Sequence, residues 1–532
     1  MISLINTLRS GNSSQIRIVI GRGQVNANSV LTLQGDKTVT PMRVCAQMGH
    51  VDALKTLAAL GASVHTPNTD GCTPVSIAAE CGHVDVIKAL AALGASVHTP
   101  ANDGSTPVYI AAQWGHMDAI KALADLGASV HTPGKSGGTP VLVAAQWGHM
   151  DAIKALADLG ASVHTPGKSG GTPVLVAAHN GHVDAIKALA ALGASVHTPD
   201  TNGHTPVLVA AQKGHVDAIK ALAALGASVH TPGKSGCTPV YIAAQKGHMD
   251  AIKALAALGA SVHTPGKSGT TPVYVGAQNG HVAAIKALAA LGASVHTPAT
   301  DGGTPVYVAA HSGHVDAIKA LAALGASVHT PANNGITPVY VAAGSGHVDA
   351  IKALAALGAS VHTPANNGIT PVYVAAGSGH VDAIKALAAL GASVHTPANN
   401  GATPVLVAAQ EGHVATIKLL YKLGVDLGCY ALSSGKKLSV LDVAEAADQQ
   451  AAVELVKSIL RKIECECECC GSSTKKMSLC SRCQKVRYCS RECQVKDHKK
   501  HRSECKAALA ARASSSSDES STTPSVTTAG ST

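Results

Sequence analysis

The stretch TPVYIAAQWGHMDAIKALADLGASVHTP, residues 106–133, contains the start and end signals of two short helices. Thr106 is a good N-cap, and Pro107 suits the first helical position, where no backbone N–H is needed. The first helix is predicted to run to about Trp114 and to stop at the glycine that follows. A second helix has an apolar stripe on one side, and Gly127 supplies the left-handed residue that ends it. The stripe consists of Met117, Ile120, Leu123 and Leu126.

This stretch is one copy of a 33-residue repeat. Gly-His recurs at that interval from Gly49 to Gly412, and Thr-Pro recurs from Thr40 to Thr403, which gives twelve full copies. Between copies, ASVHTPANDG is predicted to form an extended hairpin with its turn at residues 102–104. One such helix pair is too small to bury its apolar face alone, whereas stacked neighbours bury it together. The sequence therefore predicts a solenoid.

The copies resemble ankyrin repeats, because TPVYIAAQ, GHVDAIKAL and GASVH stand in the register of that family's pattern. The resemblance covers about residues 37–432 and implies an all-α solenoid of about twelve 33-residue ankyrin-like repeats with β-hairpin fingers. One departure is the family's histidine three residues after the threonine, where this chain has Tyr109 or Leu142. Residues 1–36 are predicted to be an N-terminal capping helix pair, and residues 433–462 a more polar C-terminal capping repeat.

The copies differ mainly at the hairpin tips and at the two residues that close the first helix. The resemblance implies that these positions line a concave face that meets protein partners. Trp114 and Trp147, the two tryptophans of the chain, are one repeat apart and are expected to lie side by side as exposed anchors. Lys213 and Lys246 form a second adjacent pair, so we expect an aromatic patch followed by a basic one. Random drift of surface positions is the alternative.

Two recurrent motifs are not expected to carry chemistry. GKSG stands at four hairpin tips without the upstream glycine or the strand–loop–helix context of a phosphate-binding loop, so a turn is predicted. The histidines of the Gly-His motif are expected to be structural, as the ankyrin resemblance implies. Nor does a strained nucleophile turn accompany the recurring Asp, His and Ser residues, so a catalytic triad is not predicted.

Nine of the 14 cysteines lie between Cys465 and Cys505. Cysteine and histidine form four pairs there, each with two or three residues between its members, which is enough for two tetrahedral Zn²⁺ ions. Disulfides are the alternative. The chain lacks the features of a signal peptide and any apolar run of about 20 residues, so we expect an intracellular protein with reduced thiols. The predicted ligands are Cys467 and Cys470, Cys480 and Cys483, Cys489 and Cys493, and His501 and Cys505.

This spacing, with YC at Tyr488 and ECQ ending at Gln494, resembles the MYND zinc finger over residues 463–506. The resemblance implies cross-bracing, in which the first and third pairs hold one zinc ion and the second and fourth pairs hold the other. Cys465 or Cys469 could replace a member of the first pair. MYND modules dock proline-containing peptides in a groove that a tryptophan helps to line. His498 stands at that position here, which implies a weaker groove.

Charge is concentrated near the same end of the chain. Residues 461–512 hold 14 Lys or Arg and six Asp or Glu, a net charge of +8 within a formal total of +9. Seven thiolates on two zinc ions would lower that charge. Residues 507–532 are predicted to be disordered. We therefore expect a non-enzymatic adaptor, in which the ankyrin face binds one protein and the zinc module a peptide, with transcriptional regulation suggested by family analogy. The alternative is a nucleic-acid-associated regulator that uses the basic end.

Overall fold

The computed structural model describes residues 2–21, 26–29, 31–33, 37–431, 435, 437–464, 478–479 and 487–488. Those residues contain 28 helices and six short strands. The chain divides into two compact units, one formed by residues 1–338 with 356–359 and the other by residues 339–355 with 360–532. Helix pairs follow the 33-residue period in both units.

Helices α1 (Ile2–Arg9) and α2 (Ser13–Gly21) form the N-terminal pair, and the antiparallel strands β1 (Leu31–Leu33) and β2 (Lys37–Val39) follow. The repeats then supply, in chain order, α3 (Pro41–Met48) and α4 (Val51–Ala59); α5 (Pro74–Glu80) and α6 (Val84–Ala92); α7 (Pro107–Gln113) and α8 (Met117–Asp125); α9 (Pro140–Trp147) and α10 (Met150–Asp158); α11 (Pro173–Asn180) and α12 (Val183–Ala191); α13 (Pro206–Lys213) and α14 (Val216–Ala224); α15 (Pro239–Lys246) and α16 (Met249–Ala257); α17 (Pro272–Gln278) and α18 (Val282–Ala290); α19 (Pro305–His311) and α20 (Val315–Ala323); α21 (Pro338–Gly344) and α22 (Val348–Ala356); α23 (Pro371–Gly377) and α24 (Val381–Ala389); α25 (Pro404–Gln410) and α26 (Val414–Lys422).

The antiparallel strands β3 (Cys429–Ala431) and β4 (Lys437–Ser439) come next and lead into α27 (Val440–Ala446) and α28 (Gln450–Glu464). A last antiparallel pair consists of β5 (Ser478–Leu479) and β6 (Arg487–Tyr488). In the repeats, the odd-numbered helices α3 to α25 are the first helices and the even-numbered helices α4 to α26 are the second helices.

The stack in the larger unit is held together by contacts between like helices. From α3 to α19 each first helix packs against the first helix of the next repeat, and from α4 to α20 the second helices do the same. Ala111, Ile120 and Leu123 have no exposed surface. The small alanines allow close approach of the first helices, while burial of each Ile or Leu contributes about 1.5–3 kcal/mol. The all-α fold predicted from the repeat is confirmed.

The threonine before each first helix caps it. Thr106 Oγ1 accepts a hydrogen bond from the N–H of Tyr109 at 3.2 Å, and Pro107 occupies the first helical position. Thr139 makes the same bond with the N–H of Leu142 at 3.2 Å. Tyr109 and Leu142 stand where ankyrin repeats usually have histidine, so the cap survives that replacement. Such a cap is worth about 1 kcal/mol.

The predicted helix ends hold to within one residue, but one member of the apolar stripe is wrong. Helix α7 ends at Gln113 with Trp114 as its C-cap, and Gly127 has the expected positive φ of 88°. Leu126 is 37% exposed, because α8 ends at Asp125 and the left-handed glycine then turns the chain away. The buried face of α8 is formed instead by Ala119, Ile120, Ala122 and Leu123, and Met117 is only partly buried.

The fingers between repeats are turns rather than β-hairpins. Between residues 40 and 428 the described chain contains no strand. In one finger the N–H of Ala101 donates to the carbonyl of Ser105 at 2.9 Å, and the N–H of Gly104 donates to the carbonyl of Ala101 at 2.9 Å. The predicted turn at residues 102–104 is therefore confirmed. The extended hairpin is not, because Pro100 precedes the turn and has no N–H with which to continue a ladder.

The Gly-His motif joins one repeat to the next. Gly148 ends α9 with a φ of 77°, and a Cβ at this position would lie 2.6 Å from Nδ1 of His182 in the following repeat. Nε2 of His182 donates to the carbonyl of Gln146 at 3.0 Å. Equivalent bonds occur at His83, His116, His149, His215, His248 and His281. The expected structural role of these histidines is confirmed.

Candidate partner-binding face and metal centre

Finger tips and the ends of first helices border a common groove. The groove has a volume of about 460 Å³ and lies beside α5 and α7. The finger side contributes Asp70, Asn102 and Asp103, and the helix ends contribute Glu80 and Trp114. In these two repeats, the two places where the repeats vary in sequence are therefore brought to one surface. We call the finger tips together with the closing residues of the first helices the variable face.

Trp114 and Trp147 occupy equivalent places on two helices in contact. Trp114 immediately follows α7, Trp147 is the last residue of α9, and the two helices pack against each other. The side chains are 52% and 53% exposed, the largest exposures among the large apolar side chains of the described residues. Each indole therefore keeps about half of its surface out of the packing between helices. Two half-exposed indoles give this part of the variable face a large apolar area.

Carboxylates surround the groove on the side of Trp114, a feature that the sequence analysis missed. Burial raises the pKa of the Cys72 thiol, and the negative charges of Glu80, Asp70 and Asp103 raise it further, while Arg43 lowers it. Cys72 is consequently a protonated thiol at neutral pH rather than a nucleophile. The signal was present in the sequence, since Asp70 and Asp103 occupy the same tip position one repeat apart.

The basic pair lies on the same face, further along the stack. Lys213 ends α13 and Lys246 ends α15, both side chains are exposed, and the two helices pack against each other. Burial lowers the pKa of His179, and the nearby Lys213 and His215 lower it further. The imidazole of His179 is therefore mostly neutral at neutral pH, and the lysines carry the positive charge of this region.

The predicted zinc ligands lie outside the described residues, as do Cys465, Cys469 and His498. Strands β5 and β6 are described, and they pair Ser478 with Tyr488 and Leu479 with Arg487. Cys480 and Cys483 belong to the seven residues between these strands, and Cys489 follows β6 directly. Thiolate and imidazole donors in this number suit Zn²⁺.

The cysteines of the helix stack are of a different kind. Cys45, Cys72, Cys81 and Cys237 are free thiols. Burial raises the pKa of Cys45 to about 12, and burial followed by the charge of Glu80 raises that of Cys81. A raised pKa keeps the thiols of Cys45 and Cys81 protonated and unreactive, so we assign neither of them a chemical role.

A stack of helix pairs joined by short fingers defines a helical repeat protein of the solenoid class. The sequence matches the family described as ankyrin repeats (three copies) over residues 4–101, 93–167, 159–232, 226–299, 291–365 and 359–430, and the chain therefore belongs to the ankyrin repeat family. Residues 467–505 match the MYND finger, a zinc-binding domain. No curated protein matches the chain.

Both families are interaction modules that are typically non-catalytic. The matched MYND segment begins at Cys467 and ends at Cys505, the first and last of the predicted ligands. In the part of the chain that the structure describes, no helix is both long and apolar enough to cross a membrane.

Proposed function

We propose that this chain is a non-enzymatic, intracellular adaptor that holds two protein partners at once. The variable face binds the first partner, with Trp114 and Trp147 as anchors and Lys213 and Lys246 as a neighbouring basic contact. The exposure of the two tryptophans, 52% and 53%, carries this proposal. Large aromatic residues that stay exposed in a folded domain are characteristic of binding sites, and tryptophan is enriched among residues that dominate binding energy.

The first helices and the second helices have different roles in this proposal. The second helices repeat nearly verbatim and carry balanced charges, as in VDAIKALAA at α12, α14 and α20. The first-helix ends and the finger tips instead hold tryptophan, lysine, carboxylate, asparagine or glycine. A scaffold that is uniform on one side and varied on the other suits recognition on the varied side.

We further propose that residues 463–506 form a cross-braced module with two zinc ions. Cys467, Cys470, Cys489 and Cys493 hold one ion, and Cys480, Cys483, His501 and Cys505 hold the other. All eight positions then have a ligand and no coordination site is open, which argues against zinc catalysis. His498 lies in the proposed peptide groove, and its smaller apolar area makes that groove a weak one.

The test of the variable face is a double substitution, Trp114→Ala with Trp147→Ala. Immobilised full-length chain should retain a set of cell proteins that the variant loses, with a cost of about 2 kcal/mol or more in affinity, while its unfolding temperature stays nearly unchanged. Leu225→Ala with Leu258→Ala is the matched control, since these leucines are each 39% exposed at the ends of second helices. A large fall in unfolding temperature for the tryptophan variant would show that the indoles serve packing, and the binding role would be lost.

The basic C-terminal end favours one other function, binding to nucleic acid. Binding through lysines and arginines releases counterions and weakens steeply as salt is raised. If the full chain bound nucleic acid with such a salt dependence and retained no proteins, the adaptor proposal would be wrong.

A further inference from the structure

Between residues 134 and 298, the excess of positive over negative charge lies on the variable face. This part of the chain has eleven lysines, no arginine and six acidic residues. Five lysines and five aspartates belong to the second helices, where they balance. The remaining six lysines stand at finger tips or at the ends of first helices, against one acidic residue, Asp200. We call these six the lysine track: Lys135, Lys168, Lys213, Lys234, Lys246 and Lys267.

The track is accessible, and each of the five repeats contributes at least one lysine to it. All six lysines are exposed. The carboxylate of Asp200 lies 3.3 Å from Nδ1 of His204 and also accepts the backbone N–H groups of Asn202 and His204. With Asp200 counted as one negative charge, the six lysines give the variable face over these five repeats a net charge of about five positive charges.

Hydrogen bonds between successive fingers link the tips of the track from Lys135 to Lys234. The N–H of Lys135 donates to the carbonyl of Asp103 at 2.9 Å, and Nζ of Lys168 donates to the carbonyl of Lys135 at 2.5 Å. Lys234 donates through its N–H to Asn202 at 3.2 Å and through Nζ to Thr201 at 2.6 Å. An ammonium group has three N–H donors. The Nζ groups of Lys168 and Lys234 each use one of them in these bonds and keep two for a ligand.

The repeat distance matches an extended peptide. First helices α9 to α17 pack directly against one another, and packed helices lie about 8–10 Å apart. An extended chain advances about 3.3 Å per residue, so three residues cover one repeat and about 12–15 residues cover the track. A nucleic-acid strand carries a charge about every 3.4 Å, which is denser than the lysines of this row.

We propose that the lysine track binds an extended acidic segment of a partner protein, with a carboxylate at about every third residue. This inference rests on the proposed function and specifies the chemistry of the first partner. The surface beside the track also sets the direction of the segment. Asp70, Glu80 and Asp103 surround the groove at Trp114 and would repel a carboxylate, so the acidic part must stop at Trp147 and an apolar residue must follow it.

The experiment measures binding of fluorescein-labelled probes to the full-length chain at about 50 mM salt, where surface electrostatics are strong. The first probe is a 15-residue peptide with Glu at every third position and a terminal Leu, and the second has the same composition with its glutamates consecutive. The third is a single-stranded 15-nucleotide DNA. The spaced peptide should bind about tenfold more tightly than the block peptide, because only its carboxylates match the lysines one by one.

Charge-matched variants locate the site. Lys135→Gln, Lys168→Gln, Lys234→Gln and Lys267→Gln together should weaken binding of the spaced peptide about tenfold, as expected for four exposed ion pairs. The control replaces Lys154, Lys187, Lys220 and Lys253 by Gln, which removes the same charge from exposed positions of second helices and should change the affinity less than about twofold. Lys213→Gln with Lys246→Gln is a second test of the track that leaves the finger contacts intact.

Four results would overturn the inference: equal losses in the track and control variants, equal binding of the spaced and block peptides, tighter binding of the DNA through the same lysines, or absence of peptide binding. The Trp114→Ala and Trp147→Ala variant separates these failures from failure of the proposed function, because loss of cell proteins from that variant does not depend on the charge of the partner.

Discussion

The helix stack and the cysteine-rich end of the chain obtain their folding free energy from different sources. A helix of seven to nine residues, such as α7 or α8, is too short to persist alone in water, so burial against the neighbouring repeats must stabilise it. Residues 467–505 contain only five apolar residues besides cysteine, which is too few for a core. In that segment metal binding has to supply the folding free energy.

This difference implies that the two parts respond to different perturbations. Stability in the stack is shared between neighbouring repeats, so damage to one contact weakens several repeats together. Stability in a zinc-binding segment depends on ligand number and on free metal. A change at a ligand should leave the helices intact, and a change at a contact between repeats should leave the zinc content intact.

The largest effect is expected for Cys483→Ala. Loss of one thiolate should abolish one zinc site and unfold the segment, because metal binding and folding are coupled there. Elemental analysis should find no more than one zinc ion per chain instead of two, while the thermal unfolding of the helices followed by circular dichroism stays unchanged.

His498→Trp is the control for this ligand set. If His501 is the ligand, the variant keeps two zinc ions, and its apolar side chain adds about 1 kcal/mol to the binding of a proline-containing peptide. Two zinc ions in Cys483→Ala, or loss of zinc in His498→Trp, would show that the cross-braced assignment is wrong.

A smaller effect, confined to the helix stack, is expected for Gly148→Ala. Gly148 and Gly160 both have positive φ, 77° and 89°, so alanine is strained by about 1 kcal/mol at either position. At Gly148 the new Cβ would also lie 2.6 Å from the ring of His182, whereas no atom lies within 4 Å at Gly160. We expect a loss of about 2–3 kcal/mol for Gly148→Ala and about 1 kcal/mol for Gly160→Ala.

Chemical denaturation of the two glycine variants, with zinc content measured in parallel, tests this expectation. Equal losses of unfolding free energy in both variants would mean that backbone strain alone explains them. The contact with His182 would then make no contribution. A change in zinc content would contradict the independence of the two parts.

The smallest effect is the response of the stack to mild acid. Burial lowers the pKa of His149, and the charges of His116 and His182 lower it further, although the bond to the carbonyl of Gln113 acts in the opposite direction. The unfolded chain therefore takes up this proton at a higher pH than the folded chain does. The resulting stability is complete above the unfolded pKa of about 6.5 and is lost as the pH falls through the folded value.

Thermal unfolding between pH 8 and pH 5 should show this loss as a decline below about pH 6.5. The contribution of His149 to this decline is small, because the ring is partly exposed to solvent. His149→Gln should make the decline shallower, and His131→Gln, at an exposed finger position, should not. A decline with the same slope in all three proteins would exclude His149 as a source.

Much of the local structure followed from short-range signals. Thr106 and Pro107 predicted the start of α7, the glycine after Trp114 predicted its end, and Gly127 predicted the end of α8. These predictions succeeded because caps and left-handed residues act over four or five residues of the same chain segment. The prediction that Leu126 belongs to the apolar stripe was wrong for a related reason. The helical period assigns residues to a face, but it does not show that the helix ends at Asp125.

Some features of the candidate site were likewise predictable from the sequence, and others were not. Spacing alone predicted the cysteine and histidine ligand pairs, and matching positions in neighbouring repeats predicted the pairing of Trp114 with Trp147. The grouping of the carboxylates at Asp70, Glu80 and Asp103, and that of the lysines at the finger tips, were not predicted from the sequence. These residues lie far apart in the chain, and only comparison of tip positions across repeats brings them together.

By itself, the sequence determined the 33-residue period, the all-α ankyrin fold and the MYND finger, because each depends on residue type at fixed short spacing. The tertiary structure decided which repeats touch and through which atoms. It placed the ring of His182 over Gly148, left Trp114 half exposed, and reduced the inner fingers to turns. The physical reason is that these features depend on contacts between residues about 33 positions apart. Such contacts form only when the helices stack and bury their apolar faces.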